Sequence, residues 1–419
     1  MLKRNFTILA ILAIFLVTMA LRVPFLHQDG LDLDTDYWMR WTQSIEKVGL
    51  IDFYRGGEHP DYPPVYIYWL DFTTIAHKAI TGSNIVEKDL TFNILTRLPS
   101  LLFDAAIGIF LFLILKKKYG EEKAFGIGIL YAVLLPFIYD GAVWGQVDSI
   151  HTFFVLLTLW LAYKRKFVLC WIFYGLAICV KFQSIMIFIP LLIYTYLYWQ
   201  GVKGIFKAGV IAIITSLVVS FPFLIAGRIF DVINVYISYV QAGTISANCL
   251  NFWWPFNFVW NYIKPTISTG TANLITNFLK IISLSSFVLT VFISVKLLMK
   301  DRKYLYLASA FSVITFVMFN LSMHDRYLYP FFAIFMMFLI SVNKKFKGIF
   351  VFFLITYTYN LVMTAKYSLP KELFSPPITI TIAILNVIVY FIFLKLVLNE
   401  INNSSSNLQR SRKYSIADS

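Results

Sequence analysis

Apolar runs long enough to cross a ~30 Å hydrocarbon core recur from one end of the chain to the other, broken by short polar connections rather than by regularly alternating polar faces. The runs predict an all-α polytopic membrane protein, a transmembrane helical bundle of about 12 spans. The first spans fall at about 6–23, 98–115, 124–139, 148–163, 167–180, 185–199 and 208–226, and five more follow. Two longer polar stretches interrupt them, at about 24–97 and 227–275. Within the first stretch, Trp38-Met-Arg-Trp41 places aromatics three apart, which predicts a helix at the membrane interface with its indoles at headgroup depth. The apolar run Val65–His77 is short and contains Asp71. It is read as a second interfacial helix, because a charge at the bilayer centre costs about 2.5–3.5 kcal/mol on insertion scales.

Composition supports the membrane class: 59% of residues are hydrophobic and 14% charged, against about 25% charged in soluble domains. The net charge of +14 does not point to nucleic acid. Its basic clusters occupy the short connections, as in Lys116–Lys118, Lys164–Lys166 and Lys344–Lys345, which marks those loops as cytoplasmic. Acidic residues gather in the first long stretch, from Asp29 to Asp61, on the opposite side. The three cysteines, Cys170, Cys179 and Cys249, show neither metal spacing nor a disulfide framework. The N-terminal run lacks a small-residue cleavage site before Arg22-Val-Pro-Phe25 and is expected to remain as the first helix. Three divisions result: an N-terminal transmembrane module 1–226 that includes the outer segment 24–97, a C-terminal module 227–401, and a disordered cytoplasmic tail 402–419.

This topology gathers the unusual polar residues at one face, outside the cytoplasm. The densest group is Asp140-Gly-Ala-Val-Trp-Gly-Gln-Val-Asp-Ser149, a polar knot between two apolar spans. Asp148 and Ser149 should open the second of those helices. Asp32, Asp34 and Asp36 alternate along the first outer segment; they could hold a divalent cation, supply a general base, or form a solvated acidic loop. Nothing in the pattern demands a metal. His59-Pro-Asp-Tyr-Pro-Pro64 is a stiff loop that would aim Asp61 and Tyr62, or simply end a helix. Arg97 and Asp104, at the start of the second span, are expected to pair structurally. Lys181 with Gln183, and His324 with Arg326, set positive charge at outer helix ends, suited to a phosphate or to lipid headgroups.

The order Asp34-Thr-Asp36-Tyr37, Asp61-Tyr-Pro-Pro64, Arg97-Leu-Pro99…Asp104, Val143-Trp-Gly-Gln-Val-Asp-Ser149, Lys181-Phe-Gln183, Ser246-Ala-Asn-Cys-Leu-Asn-Phe-Trp253 and His324-Asp-Arg326-Tyr327 resembles the superfamily C (GT-C) glycosyltransferases. The resemblance is to bacterial and archaeal relatives of GPI mannosyltransferase I and, more distantly, to the glucosyltransferases of dolichol-linked oligosaccharide assembly. Phe182 and Asp325 depart from the usual proline and glutamate. The resemblance implies inverting transfer of a mannose or glucose from a polyprenyl- or dolichyl-phosphate donor to an extracytoplasmic glycolipid or glycan. It implies Asp36 as general base with Asp34 assisting, and Lys181, His324 and Arg326 on the donor phosphate. Asp61, Tyr62, Trp144, Gln146, Asp148, Gln183 and Asn251 would line the substrate site. A secondary transporter or lipid-linked sugar flippase is the rival reading; no paired Gly/Pro-broken helices or internal repeat support it.

Overall fold

The computed structural model describes residues 2–56, 58, 60–240, 244–341, 344–365 and 371–402. His59, Lys366 and the tail beyond 402 lie outside the described residues. Among those described, the regular elements are helices. The first half runs α1 (Leu2–Arg22), α2 (Asp32–Val48), α3 (Pro64–Thr81), α4 (Leu90–Tyr119), α5 (Glu121–Val133), α6 (Leu135–Ile138), α7 (Asp148–Tyr163), α8 (Phe167–Val180) and α9 (Phe188–Tyr198). The second half runs α10 (Gly201–Val219), α11 (Phe221–Ile225), α12 (Ile229–Val240), α13 (Trp254–Ile263), α14 (Thr269–Lys300), α15 (Leu305–Phe319), α16 (Tyr329–Ser341), α17 (Lys347–Ala365) and α18 (Pro376–Asn402).

Among the described residues six helices are long and apolar enough to cross a membrane: α1, α4, α10, α14, α17 and α18. The pair formed by α5 and the stretch Leu135–Trp144, bent by 52°, makes a seventh if it is counted as one span. The sequence pattern suggested about 12 spans. The difference lies partly in shorter apolar helices such as α7, whose 16 residues rise only about 24 Å at 1.5 Å each.

The chain forms two compact units. The first comprises Met1–Thr158, Val168–Ile185 and Lys207–Ala242; the second comprises Leu159–Phe167, Met186–Phe206 and the chain from Gly243 onward. In the first unit α2 and α3 form, as the sequence predicted, but Trp38 and Trp41 do not face headgroups. Both are buried, and their rings meet Tyr62, Tyr66 and Phe53 at centroid distances of 5.0–6.2 Å. The three-residue spacing that suggested an interfacial stripe serves a protein-facing stripe instead, because α3 covers it.

The second span begins earlier than the apolar run implied. Asp89 caps α4, its carboxylate accepting from Phe92 N at 2.7 Å, so Arg97 and Pro99 sit inside the helix. Pro99 has no N–H to offer the carbonyl of Leu95. Trp69 Nε1 donates to that oxygen at 2.8 Å in its place. The second unit buries a phenylalanine-rich core, in which the Phe331 ring meets those of Phe335, Phe353 and Phe393. Within it Thr315 and Tyr390 share a 2.9 Å hydrogen bond.

Candidate functional site

The polar knot closes the bent span begun by α5 as a turn of π-helix, Tyr139–Trp144, and Asp148 opens α7. Gly145 ends the π-turn at φ +91°, a left-handed conformation that costs a side-chain-bearing residue energy. Residues 140–150 are all buried. Ser100 ties the knot to α4, donating to Gln146 O at 2.5 Å, while its own carbonyl accepts from Ser149 Oγ at 2.9 Å.

A connected polar network follows. Tyr62 OH donates to Gln146 Oε1 at 3.2 Å, and Lys181 Nζ lies 3.5 Å from the same oxygen and 2.8 Å from Asp148 Oδ1. His151 joins Asp148 Oδ1 at 3.2 Å and Ser184 Oγ at 3.2 Å. Lys181 also stands 5.4 Å from the centre of the Tyr62 ring. Four residues expected in the site, Tyr62, Gln146, Asp148 and Lys181, thus come together. Lys181, expected on the donor phosphate, is in a buried ion pair with Asp148. An ammonium in a low-dielectric interior takes the nearest anion. His151 and Ser184 were not singled out from the sequence; a lone histidine one turn into an apolar helix carries no motif of its own. Gln183 is buried beside this network in sequence, and Asp61 is exposed.

The acidic segment reaches the knot through one carboxylate. Asp34 Oδ2 accepts from Trp144 Nε1 at 2.6 Å. Asp36, two residues on, is turned about 200° around α2. It pairs with Lys88 at 2.7 Å, and its carboxyl is nearly half exposed. The expected order of roles, Asp36 first and Asp34 assisting, therefore does not match their distances from the knot. Nothing is described of the Asp32 side chain. Among the described residues no group of three or more His, Cys, Asp or Glu is disposed to hold a metal ion.

Two further hydrogen bonds dock α2 on the knot, Leu31 N to Trp144 O at 3.1 Å and Trp38 Nε1 to Gly145 O at 3.2 Å. The Tyr66 phenol lies behind them. Burial pushes its pKa well up; Arg97 pulls it down and Asp34 adds to the rise, so both charges act on this ring.

The partner shown for Asp104 is Arg22, at 2.9 Å, with Tyr131 OH donating at 3.3 Å. Arg97, the partner expected, directs its guanidinium to main-chain carbonyls instead. Arg22 was legible as a charge at a helix end, but its meeting with a residue 82 positions away was not.

His324, Arg326 and Asn251 belong to the second unit. There the segment Ile245–Trp254 runs beside residues 318–324, with Ala247 N donating to Met323 O at 3.0 Å and Phe252 N to Met318 O at 3.2 Å. Asn251 helps hold this arrangement: its Nδ2 donates to Val317 O at 2.9 Å and its Oδ1 accepts from Trp253 N at 3.1 Å. Asn360 clamps the same segment, accepting from Leu250 N and donating to Asn248 O. Arg326 is buried, its guanidinium 3.9 Å from Asp325 and 6.0 Å from the Tyr327 ring centre. Burial pushes the Cys249 thiol well above its ordinary pKa, and the Asp325 carboxylate adds to the shift.

The site thus joins a partly exposed carboxylate on α2 to the indole of a buried polar knot in a multi-pass helical membrane protein. Comparison with known families specifies the class. Residues 88–226 match the family described as dolichyl-phosphate-mannose-protein mannosyltransferase. That family is one of the GT-C membrane glycosyltransferases, and the match covers about a third of the chain. The matched region includes Arg97, Trp144, Gln146, Asp148 and Lys181; Asp34, Asp36 and the second-unit residues lie outside it. No curated protein matches the chain.

Proposed function

We propose that the protein transfers a mannosyl residue from a polyprenyl- or dolichyl-phosphate donor to an extracytoplasmic glycolipid or glycan, with inversion at the anomeric carbon. The family match supports the donor class. The observation that carries the site is the 2.6 Å hydrogen bond from Trp144 to Asp34, which links the acidic segment to the matched region. On this reading Asp34, rather than Asp36, is the general base. It takes the proton from the acceptor hydroxyl as that oxygen bonds to the sugar C1. The C1–O bond to phosphate breaks, and the lipid phosphate departs with the electron pair. The indole N–H fixes the carboxylate in place. Asp61, Tyr62, Gln146 and Gln183 supply polar groups for the sugar or the acceptor. The full bundle has about 12 spans, counting the shorter apolar helices, with the catalytic face outside the cytoplasm.

The test uses purified protein, radiolabelled polyprenyl-phosphate mannose or glucose, and a crude acceptor pool. Label should move from the mannose donor and cease to move with Asp34→Asn. Wild-type turnover by Asp34→Asn alongside loss in Asp36→Asn would return the base to Asp36. Absence of transfer from both donors would defeat the lipid-phosphate-sugar reading.

A further inference from the structure

We propose that Arg97 is a positioning residue that holds the Asp34–Trp144 hydrogen bond in register, an inference that rests on the reading of Asp34 as base. Arg97 is fully buried in α4. Its Nη1 donates to Phe25 O and to Ala142 O, both at 3.1 Å, and its Nη2 donates to Gln28 O at 2.6 Å. Phe25 and Gln28 lie on the peptide that leads from α1 into α2. Ala142 lies in the π-turn of the knot. One rigid fork therefore joins the two backbones that carry Asp34 and Trp144. Lysine cannot copy this, because its ammonium is a point donor without the planar spread of the guanidinium.

The surrounding backbone is shaped to admit the fork. Gly30 has φ +77°; a Cβ there would stand 2.6 Å from Arg97 Nη2 and 2.8 Å from Trp144 O. A Cβ on Gly145 would come within 3.3 Å of Arg97 Nε. These glycines allow the peptide before α2 and the knot to close on either side of the guanidinium. The Leu31–Trp144 backbone bond and the Asp34–Trp144 side-chain bond then form just beyond. If the fork is lost, the two strands of chain lose their common anchor. The carboxylate would shift relative to the indole while the polar network around Asp148, which Arg97 does not join in these bonds, keeps its partners. A base displaced by about 1 Å can cost on the order of 10²-fold in rate.

The experiment compares wild-type, Arg97→Lys, Trp144→Phe and the double variant, full length in lipid nanodiscs, with polyprenyl-phosphate mannose as donor. Thermal unfolding is recorded for each, and Asp34→Asn is run alongside. Arg97→Lys should lower kcat per folded enzyme by roughly 10²-fold, with the donor KM within about twofold of wild type. In the Trp144→Phe background, where the guarded hydrogen bond is already gone, the same substitution should cost no more than about twofold further. Losses that multiply in the double variant would overturn the proposal. So would an Arg97→Lys protein whose Tm falls while kcat per folded molecule is unchanged, which is the signature of a stabilising role alone. If Arg97→Lys does not fold, Gly30→Ala, which sets a methyl against the guanidinium, replaces it in the same cycle with the same expected pattern. Failure of the base reading shows separately, as full turnover by Asp34→Asn.

Discussion

Replacing Lys181 by methionine removes one partner of a buried ion pair and keeps most of the side-chain volume. Asp148 and Lys181 meet at 2.8 Å with side chains essentially inaccessible to solvent, so surface screening does not apply. Breaking such a pair from one side costs about 3–5 kcal/mol, because a charge remains without its counter-ion. The structure sets where in that range each variant falls. In Lys181→Met, Asp148 keeps His151 at 3.2 Å, which places the loss near 3 kcal/mol. In Asp148→Leu, Lys181 keeps only the weaker company of the Gln146 oxygen at 3.5 Å and the Tyr62 ring, which places it near 5 kcal/mol. At about 2 °C per kcal/mol for a large domain, these become Tm decreases of roughly 6 and 10 °C. The double variant Asp148→Leu/Lys181→Met leaves neither charge behind and should recover a large part of the loss. Thermal unfolding of purified protein, followed by size-exclusion recovery after heating, measures all three. A Tm for Lys181→Met within about 2 °C of wild type, or a double variant as unstable as the sum of the singles, would refute the account of the pair as a closed structural unit.

Two other outcomes follow from particular contacts. Trp144→Phe removes a charge-assisted donor from Asp34; at about 1.5–3 kcal/mol for such a bond, steady-state kcat/KM should fall roughly 10- to 150-fold, and an unchanged value would separate the indole from the chemistry. Burial and the neighbouring Asp325 raise the Cys249 thiol pKa, so the thiolate that alkylating reagents need is scarce near neutral pH and begins to form only as pH rises toward the shifted value. Maleimide should therefore label Cys249 far more slowly in folded protein than in denatured protein at pH 8, and equal rates would contradict the burial.

Much of the helical plan was legible along the chain because lipid-spanning segments must be apolar over their whole length. The knot was legible too, since an aspartate, a glutamine and a serine between two such spans have no lipid-compatible place. What the pattern could not supply was which face a residue turns to once a neighbouring helix covers it. Trp38 and Trp41 were read toward lipid because α3 is invisible as a partner in a one-dimensional pattern. Asp34 and Asp36 look equivalent as alternate acidic positions. On a helix, two residues' separation turns them to nearly opposite sides, and only one meets Trp144. The early start of α4 was hidden for a different reason. Pro99 reads as a helix opener, and only the indole of Trp69 reveals how the helix passes through it.

Positive charge shows the same limit. The sequence reading set Lys181 on a donor phosphate and paired Arg97 with Asp104, and it gave Arg22 no partner. In a low-dielectric interior a cation left waiting for substrate would carry a desolvation cost of several kcal/mol in the resting protein. Here each is matched from within: Arg22 by Asp104, Lys181 by Asp148, and Arg97 by three oriented carbonyls. All three contacts bridge segments far apart in the chain, so their effect is to fix where helices cross. On the proposed reading, the group that meets substrate at the first unit's acidic segment is the partly exposed Asp34, held by a buried indole that is itself framed by a buried arginine.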